Sequence, residues 1–148
     1  MNKYIVLKKI YKSFLNNRNV SVLKRINYSF VKGKVYSIMG PSGSGKSTLL
    51  NILSMIDKPT KGSLFIENME IDFNEDIIND KIRSKKIGII YQQNNLLPDF
   101  TALENVYFAE LALSNDKKNS VKKAKKIIRD IGLTSRENHY PSELSGGQ

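Results

Sequence analysis

Ile26, Tyr28 and Phe30 alternate with Asn27 and Ser29, the two-residue period of a strand with one buried face, and predict a strand over residues 20–31. Residues 4–14 predict a partner strand ending in Lys12-Ser13-Phe14, joined to it by the turn-rich Asn16-Asn17-Arg18-Asn19. Lys32-Gly33-Lys34 reads as a tight turn into the apolar run Val35-Tyr36-Ser37-Ile38-Met39, a predicted core strand. A glycine-rich stretch follows, then a helix-compatible run, Thr48-Leu49-Leu50-Asn51-Ile52-Leu53.

Asp57 to Gly62 is dense in turn residues; Ser63-Leu64-Phe65-Ile66 predicts a short strand, and Glu67-Asn68-Met69-Glu70 a hairpin turn. Ile77, Ile78 and Ile82 predict one apolar side of a helix over 75–84, and Ile87-Gly88-Ile89-Ile90-Tyr91 a second buried strand. Gln92 to Phe100 is a loop containing Pro98. Thr101 with Glu104 three residues on makes a capping box, opening a helix that runs to about Leu113. After a loop at 114–119, Ser120 is the expected cap of a helix with the apolar stripe Val121, Ala124, Ile128 and Ile131, stopped by Gly132. An antiparallel sheet leading into a parallel core is an α/β arrangement.

Composition narrows the class. At 148 residues and 40% hydrophobic, the chain is one globular domain or part of one. No apolar run approaches bilayer length. Met1 to Val6 lacks a long apolar stretch and a small-residue cleavage site, so a signal peptide is not expected. The absence of cysteine excludes disulfides, thiol catalysis and Cys-ligated zinc within these residues. The net charge is +10, with many of the charges in Lys117 to Arg129, and fits a lysine-rich solvated surface, with nucleic acid or anionic lipid as the alternatives.

The chemistry centres on Gly40-Pro41-Ser42-Gly43-Ser44-Gly45-Lys46-Ser47-Thr48, which fits G-x-x-x-x-G-K-[ST] at every fixed position. A chance match is on the order of one in ten thousand, and strand, loop and helix occur in the order the motif needs. Gly43 and Gly45 free the backbone to turn successive N–H groups around a phosphate, and the helix presents its positive end to the same anion. Lys46 reaches the β- and γ-phosphates, and the Ser47 hydroxyl suits Mg²⁺. Leu144-Ser145-Gly146-Gly147-Gln148 is a second glycine-rich phosphate-binding candidate. Gln92 ends a predicted buried strand, where α/β sheets place ligand contacts. Phe14 is an aromatic that can stack on a base, with Tyr11 as the alternative.

On these residues the chain resembles the nucleotide-binding subunits of ABC transporters from about Lys3 to Gln148. The resemblance implies a phosphate-loop NTPase fold of ABC type. It would have an antiparallel β-subdomain near 1–35 and 62–72 and a helical subdomain at approximately 94–148. Residues 1–148 would then be the N-terminal portion of one ATP-binding domain. It implies ATP and Mg²⁺ as cofactors, with Gly40 to Thr48 on the phosphates, Phe14 on adenine, and Ser47 and Gln92 on the metal. Ser145, Gly146, Gly147 and Gln148 match the family signature; Gln92, rather than Gln93, matches the glutamine that couples to the membrane partner.

Implied partners are integral membrane permease subunits and a second copy in a head-to-tail dimer. The implied location is peripheral, on the cytoplasmic face of the inner membrane, with no nucleic acid. Ile90-Tyr91-Gln92, the stretch Asn95 to Val106, Asn138-His139 and Pro141-Ser142-Glu143 look most like the lipoprotein-releasing ATPases. Macrolide-export and cell-division ATPases are close relatives of that group.

In the family, an apolar strand ending in Asp-Glu and a later switch histidine follow the signature. Residues 1–148 hold neither, so the resemblance implies that these residues alone lack a full catalytic set, with the C-terminal half of the core outside them. His139, the sole histidine, precedes the signature and reads as a surface residue. Three readings stand together: the N-terminal portion of a transport ATPase, a non-catalytic nucleotide-binding remnant, and a nucleic-acid-linked ATPase. The last is disfavoured by the short globular segment between Gly45 and Leu144.

Overall fold

A computed structural model of the chain describes residues 3–16, 18–92 and 95–147. They form two compact units, Met1–Ile89 and Ile90–Gln148.

The first unit is built on a long hairpin, β1 (Lys3–Asn16) and β2 (Arg18–Val31). With β3 (Lys61–Ile66) and β4 (Met69–Glu70) it makes an antiparallel sheet of order β2-β1-β3-β4. Leu7 and Ile10 are three residues apart, which would put them on opposite faces of a regular strand. A bulge at Lys9, in the left-handed region at φ 49°, resets the alternation so that both are buried. The Lys9 N–H donates to the Asn27 side-chain oxygen at 2.9 Å. The helices α1 (Lys46–Leu53) and α2 (Asp76–Lys86) belong to the same unit. Its core gathers Leu7, Ile10, Leu23, Ile52, Met55, Leu64, Ile66 and Ile71. Each such side chain contributes about 1.5–3 kcal/mol through removal from water.

Two expected core strands do not form. Val35 to Met39 and Ile87 to Tyr91 are outside any ladder, and Val35 and Ile90 are 100% exposed. Apolar sequence makes a strand only beside a hydrogen-bonding partner. Among the described residues neither segment has one, and the parallel core is correspondingly absent among them. Ile87 alone packs partly against the core. The apolar side expected of α2 is also corrected. Ile77 and Ile78 are exposed, while Asn79 is buried and Ile82 half-buried against the core. The Asn79 amide donates to the Asp72 carbonyl at 2.7 Å and Arg83 donates to the Met55 carbonyl at 3.2 Å, which turns this side of the helix inward.

In the second unit, α3 (Ala102–Ser114) and α4 (Lys117–Asp130) pack together through buried Tyr107, Ala124 and Ile128. The expected capping box is present. The Glu104 N–H donates to Thr101 Oγ1 at 3.3 Å, and the Thr101 N–H to Glu104 Oε2 at 2.8 Å. Ser120 is not a cap. Helix α4 starts four residues earlier because the cap is Asp116, whose carboxylate accepts the Asn119 N–H at 3.0 Å. Ser120 is fully buried inside the helix, its hydroxyl donating to the Asp116 carbonyl at 2.7 Å. Gly132, at φ 78°, ends the helix: its N–H donates to Arg129 and that of Leu133 to Ile128, two carbonyls otherwise orphaned. Ile131, expected in the buried stripe, is exposed at the C-cap, one residue before this stop. Short 3₁₀ turns follow at Thr134–Arg136 and Pro141–Glu143.

Candidate nucleotide-binding site

The loop Gly40 to Gly45 leads into α1, and Gly45 is the residue that sets its shape. Its φ of +90° belongs to the left-handed region, and it stands at the N-cap of α1 with no side chain capping the helix. A Cβ there would come within 2.9 Å of Val22 Cγ1 and 3.0 Å of Leu23 Cδ2. The loop therefore closes directly onto β2. Lys46 lies at the first position of α1, and its ammonium donates to the Gly40 and Pro41 carbonyls, each at 2.8 Å. The Ser44 N–H donates to the Pro41 carbonyl at 3.3 Å.

An uncapped helix N-terminus and a cation folded back over a glycine-rich loop suit a polyphosphate. Ser47 is exposed on the first turn of α1. Magnesium takes few protein oxygens and completes its shell with phosphate and water, so a single hydroxyl at this place fits it. Among the described residues no group of three or more His, Cys, Asp or Glu side chains comes together.

Gly45 also ties the loop to the end of the hairpin. Leu23 pairs with Lys12, and Val20 with Phe14, across the β1–β2 ladder. The Phe14 ring is 40% exposed and Tyr11 is half-buried, which leaves Phe14 the more open ring. Sequence reasoning overlooked Lys12. It is 8% exposed, and its ammonium donates to Asp57 Oδ1 at 2.6 Å and to the Lys58 carbonyl at 2.8 Å. The signal available was its place two residues after buried Ile10, on the same face.

In the second unit, Gln92 is exposed; Gln93 and Gln148 lie outside the described residues. The exposed stretch Ser145, Gly146 and Gly147 follows the 3₁₀ turn at Pro141–Glu143. His139 is half-buried rather than superficial: its ring nitrogen is 3.0 Å from Arg136 Nη1, and its carbonyl accepts the Ala102 N–H at 2.8 Å. Asn105, quoted only as part of a motif, organises the loop before α3. Its amide oxygen accepts the Leu97 N–H at 2.8 Å, and its NH₂ reaches the Leu97, Phe100 and Thr101 carbonyls. Glu104 is held below its ordinary pKa by the Thr101 N–H and then by the Thr101 hydroxyl. Among the described residues no helix is long and apolar enough to cross a membrane.

Residues 23–148 match the family model described as ABC transporter. The chain is 41% identical over 148 residues to the lipoprotein-releasing system ATP-binding protein of Rickettsia bellii, covering 99% of this chain and 65% of that protein. It is 44% identical over 129 residues to the protein of the same name from Cytophaga hutchinsonii, covering 87% of this chain and 59% of that one. Among solved structures, it resembles a dimeric ATP-binding cassette in a post-hydrolysis state bound to ADP and Pi. That likeness has TM-score 0.83 and 39% identity, over 97% of this chain and 64% of the other. The chain thus spans about two thirds, or less, of the length of each of these relatives.

Proposed function

Since the chain belongs to the ABC transporter family, we propose that it is the nucleotide-binding portion of a transport ATPase that releases lipoproteins from the inner membrane. The observation that carries this reading is the phosphate loop itself: Lys46 folded over Gly40 and Pro41 at the uncapped start of α1.

In this reading Gly40 to Thr48 hold the triphosphate of ATP through backbone N–H groups, and Lys46 moves from the two carbonyls to the β- and γ-phosphates. Ser47 would hold magnesium, which when bound would offset charge on the phosphates, and Gln92 is the second metal ligand that the family resemblance implies. Phe14 stacks on adenine. Ser145, Gly146, Gly147 and Gln148 face the nucleotide of a second, head-to-tail copy. Gln92 to Phe100 contacts an integral membrane permease on the cytoplasmic side, and no nucleic acid is involved. Residues 1–148 taken alone bind ATP without sustained turnover, because water attack needs a positioned carboxylate beside the metal.

The test is a chimera in which residues 1–148 replace the matching part of a lipoprotein-releasing relative. ATP-dependent release of lipoprotein from membranes, lost on Lys46→Ala, is the expected result. A chimera that hydrolyses ATP yet never supports release would overturn the substrate assignment. One that does neither while binding its permease would overturn the nucleotide site.

A further inference from the structure

Lys12 is a buried cation that the proposed mechanism does not use. Its ammonium sits 4.9 Å from the centroid of the Phe14 ring while donating to Asp57 and to the Lys58 carbonyl. Burying a lysine costs free energy unless its charge is matched, and the ion pair at 2.6 Å matches it. The contacts around it form a latch between two parts of the site. The Thr60 N–H donates to the Tyr11 carbonyl at 2.8 Å, the Ser13 N–H donates to Thr60 Oγ1 at 3.0 Å, and Thr60 Oγ1 donates to the Ser13 carbonyl at 3.3 Å. Residues 11–13 of β1 are thereby bound to residues 57–60, the segment that follows α1. That helix carries Lys46 and Ser47 at its other end.

We propose that Lys12 is a positioning residue for base recognition, holding the Phe14 ring at a fixed place relative to the phosphate loop. The proposal rests on the assignment of Phe14 to adenine made above. One face of the ring is occupied by the ammonium, which attracts the ring's electron density and restrains its rotation. Phe14 is 40% exposed, and the proposal places the planar base on the ring face away from the ammonium. The latch fixes β1 against the exit of α1, and Gly45 fixes the entry of α1 against Val22 and Leu23 of β2. Both ends of the phosphate-loop helix are therefore tied to the hairpin that carries Phe14. Base and triphosphate are read at a set separation.

Calorimetric titration of the chain with Mg·ATP and with Mg·tripolyphosphate, which has no base, separates positioning from folding. Lys12→Met should weaken ATP roughly fivefold, the scale of one lost cation–ring contact, and leave tripolyphosphate unchanged. Phe14→Ala should do the same, and Lys12→Arg, which keeps a cation there, should recover most of the loss. Equal weakening of both ligands by Lys12→Met would show a structural role only and overturn the proposal. So would unchanged ATP affinity in Lys12→Met beside a loss in Phe14→Ala. Unchanged ATP affinity in Phe14→Ala would instead overturn the adenine assignment, and this inference with it. Should Lys12→Met not melt cooperatively, Lys12→Gln keeps a hydrogen bond to Asp57 without the charge. It is expected to show the same selective loss, and wild-type ATP affinity in it would overturn the proposal.

Discussion

Lys46 donates to the Gly40 carbonyl at 2.8 Å, folding its ammonium back over the glycine-rich loop. With the matching bond to Pro41, the cation is parked on the loop it serves. In the proposed reading, ATP binding exchanges two neutral acceptors for charged ones, a change that favours the bound state. Lys46→Ala removes a hydrogen bond to a charged group, expected to cost about 1.5–3 kcal/mol, or roughly tenfold to a hundredfold in ATP affinity. Calorimetric titration with Mg·ATP measures it, and equal affinity in the two proteins would place the nucleotide elsewhere.

The two glycines at the turn into α1 differ in what surrounds them. Gly43, at φ +77°, has open space where a Cβ would stand. Gly45, at φ +90°, would meet Val22 and Leu23. Gly43→Ala bears only the strain of the left-handed region, about 1 kcal/mol. Gly45→Ala adds overpacking of about 1–3 kcal/mol. Thermal melts should therefore rank Gly45→Ala below Gly43→Ala. The reverse order would mean that the loop does not seat against β2.

The Glu104 carboxylate accepts from the Thr101 N–H and hydroxyl, and both contacts favour its charged form. Its folded pKa is therefore below its unfolded value. The stability it adds to α3 is present above the ordinary carboxylate range and is lost as the pH falls through the lowered pKa. Helicity followed by circular dichroism should show a smaller acid loss in Glu104→Gln than in the parent chain. Identical acid limbs would mean that the capping box contributes nothing.

Val35 and Ile52 are both apolar and both adjoin the phosphate loop in sequence, but only Ile52 is buried. Ile52→Ala should cost about 2–5 kcal/mol in this chain. Val35→Thr should stay within about 0.5 kcal/mol, as exposed positions do. Denaturant melts of the two variants test this. A large loss in Val35→Thr would show that Val35 to Met39 is packed after all.

What could be read from the residues follows a physical divide. The hairpin, the short strand Ser63 to Ile66 and the Thr101–Glu104 box rest on local periodicity and capping, and the structure has them. The glycine-rich turn into α1 was legible because Gly43 and Gly45 stand where the backbone takes positive φ. Val35 to Met39 and Ile87 to Tyr91 were misread because a strand is a relation between segments, and an apolar run in one of them does not supply the other. The bulge at Lys9 was invisible for a similar reason: Lys9 carries no turn signal, and only its pairing with β2 produces it. Lys12 was passed over because lysines are seldom buried, and its partner Asp57 is 45 residues away.

The last expectation concerns turnover. Lys46 and Ser47 supply charge and a metal oxygen, but hydrolysis also needs a carboxylate aimed at the attacking water. In the first unit, Asp57 is paired with Lys12, Glu67 with Lys86 and Asp80 with Arg83. Phosphate binding alone stabilises ground state and transition state alike, and so does not speed the chemical step. Residues 1–148 should therefore release phosphate from Mg·ATP no faster than the Lys46→Ala variant. Fusion to the remaining third of a relative's domain should raise the rate and make it depend on Lys46. Steady, magnesium-dependent release from residues 1–148 that falls tenfold or more, about the effect of one catalytic contact, in Lys46→Ala would show that the catalytic set is complete within them.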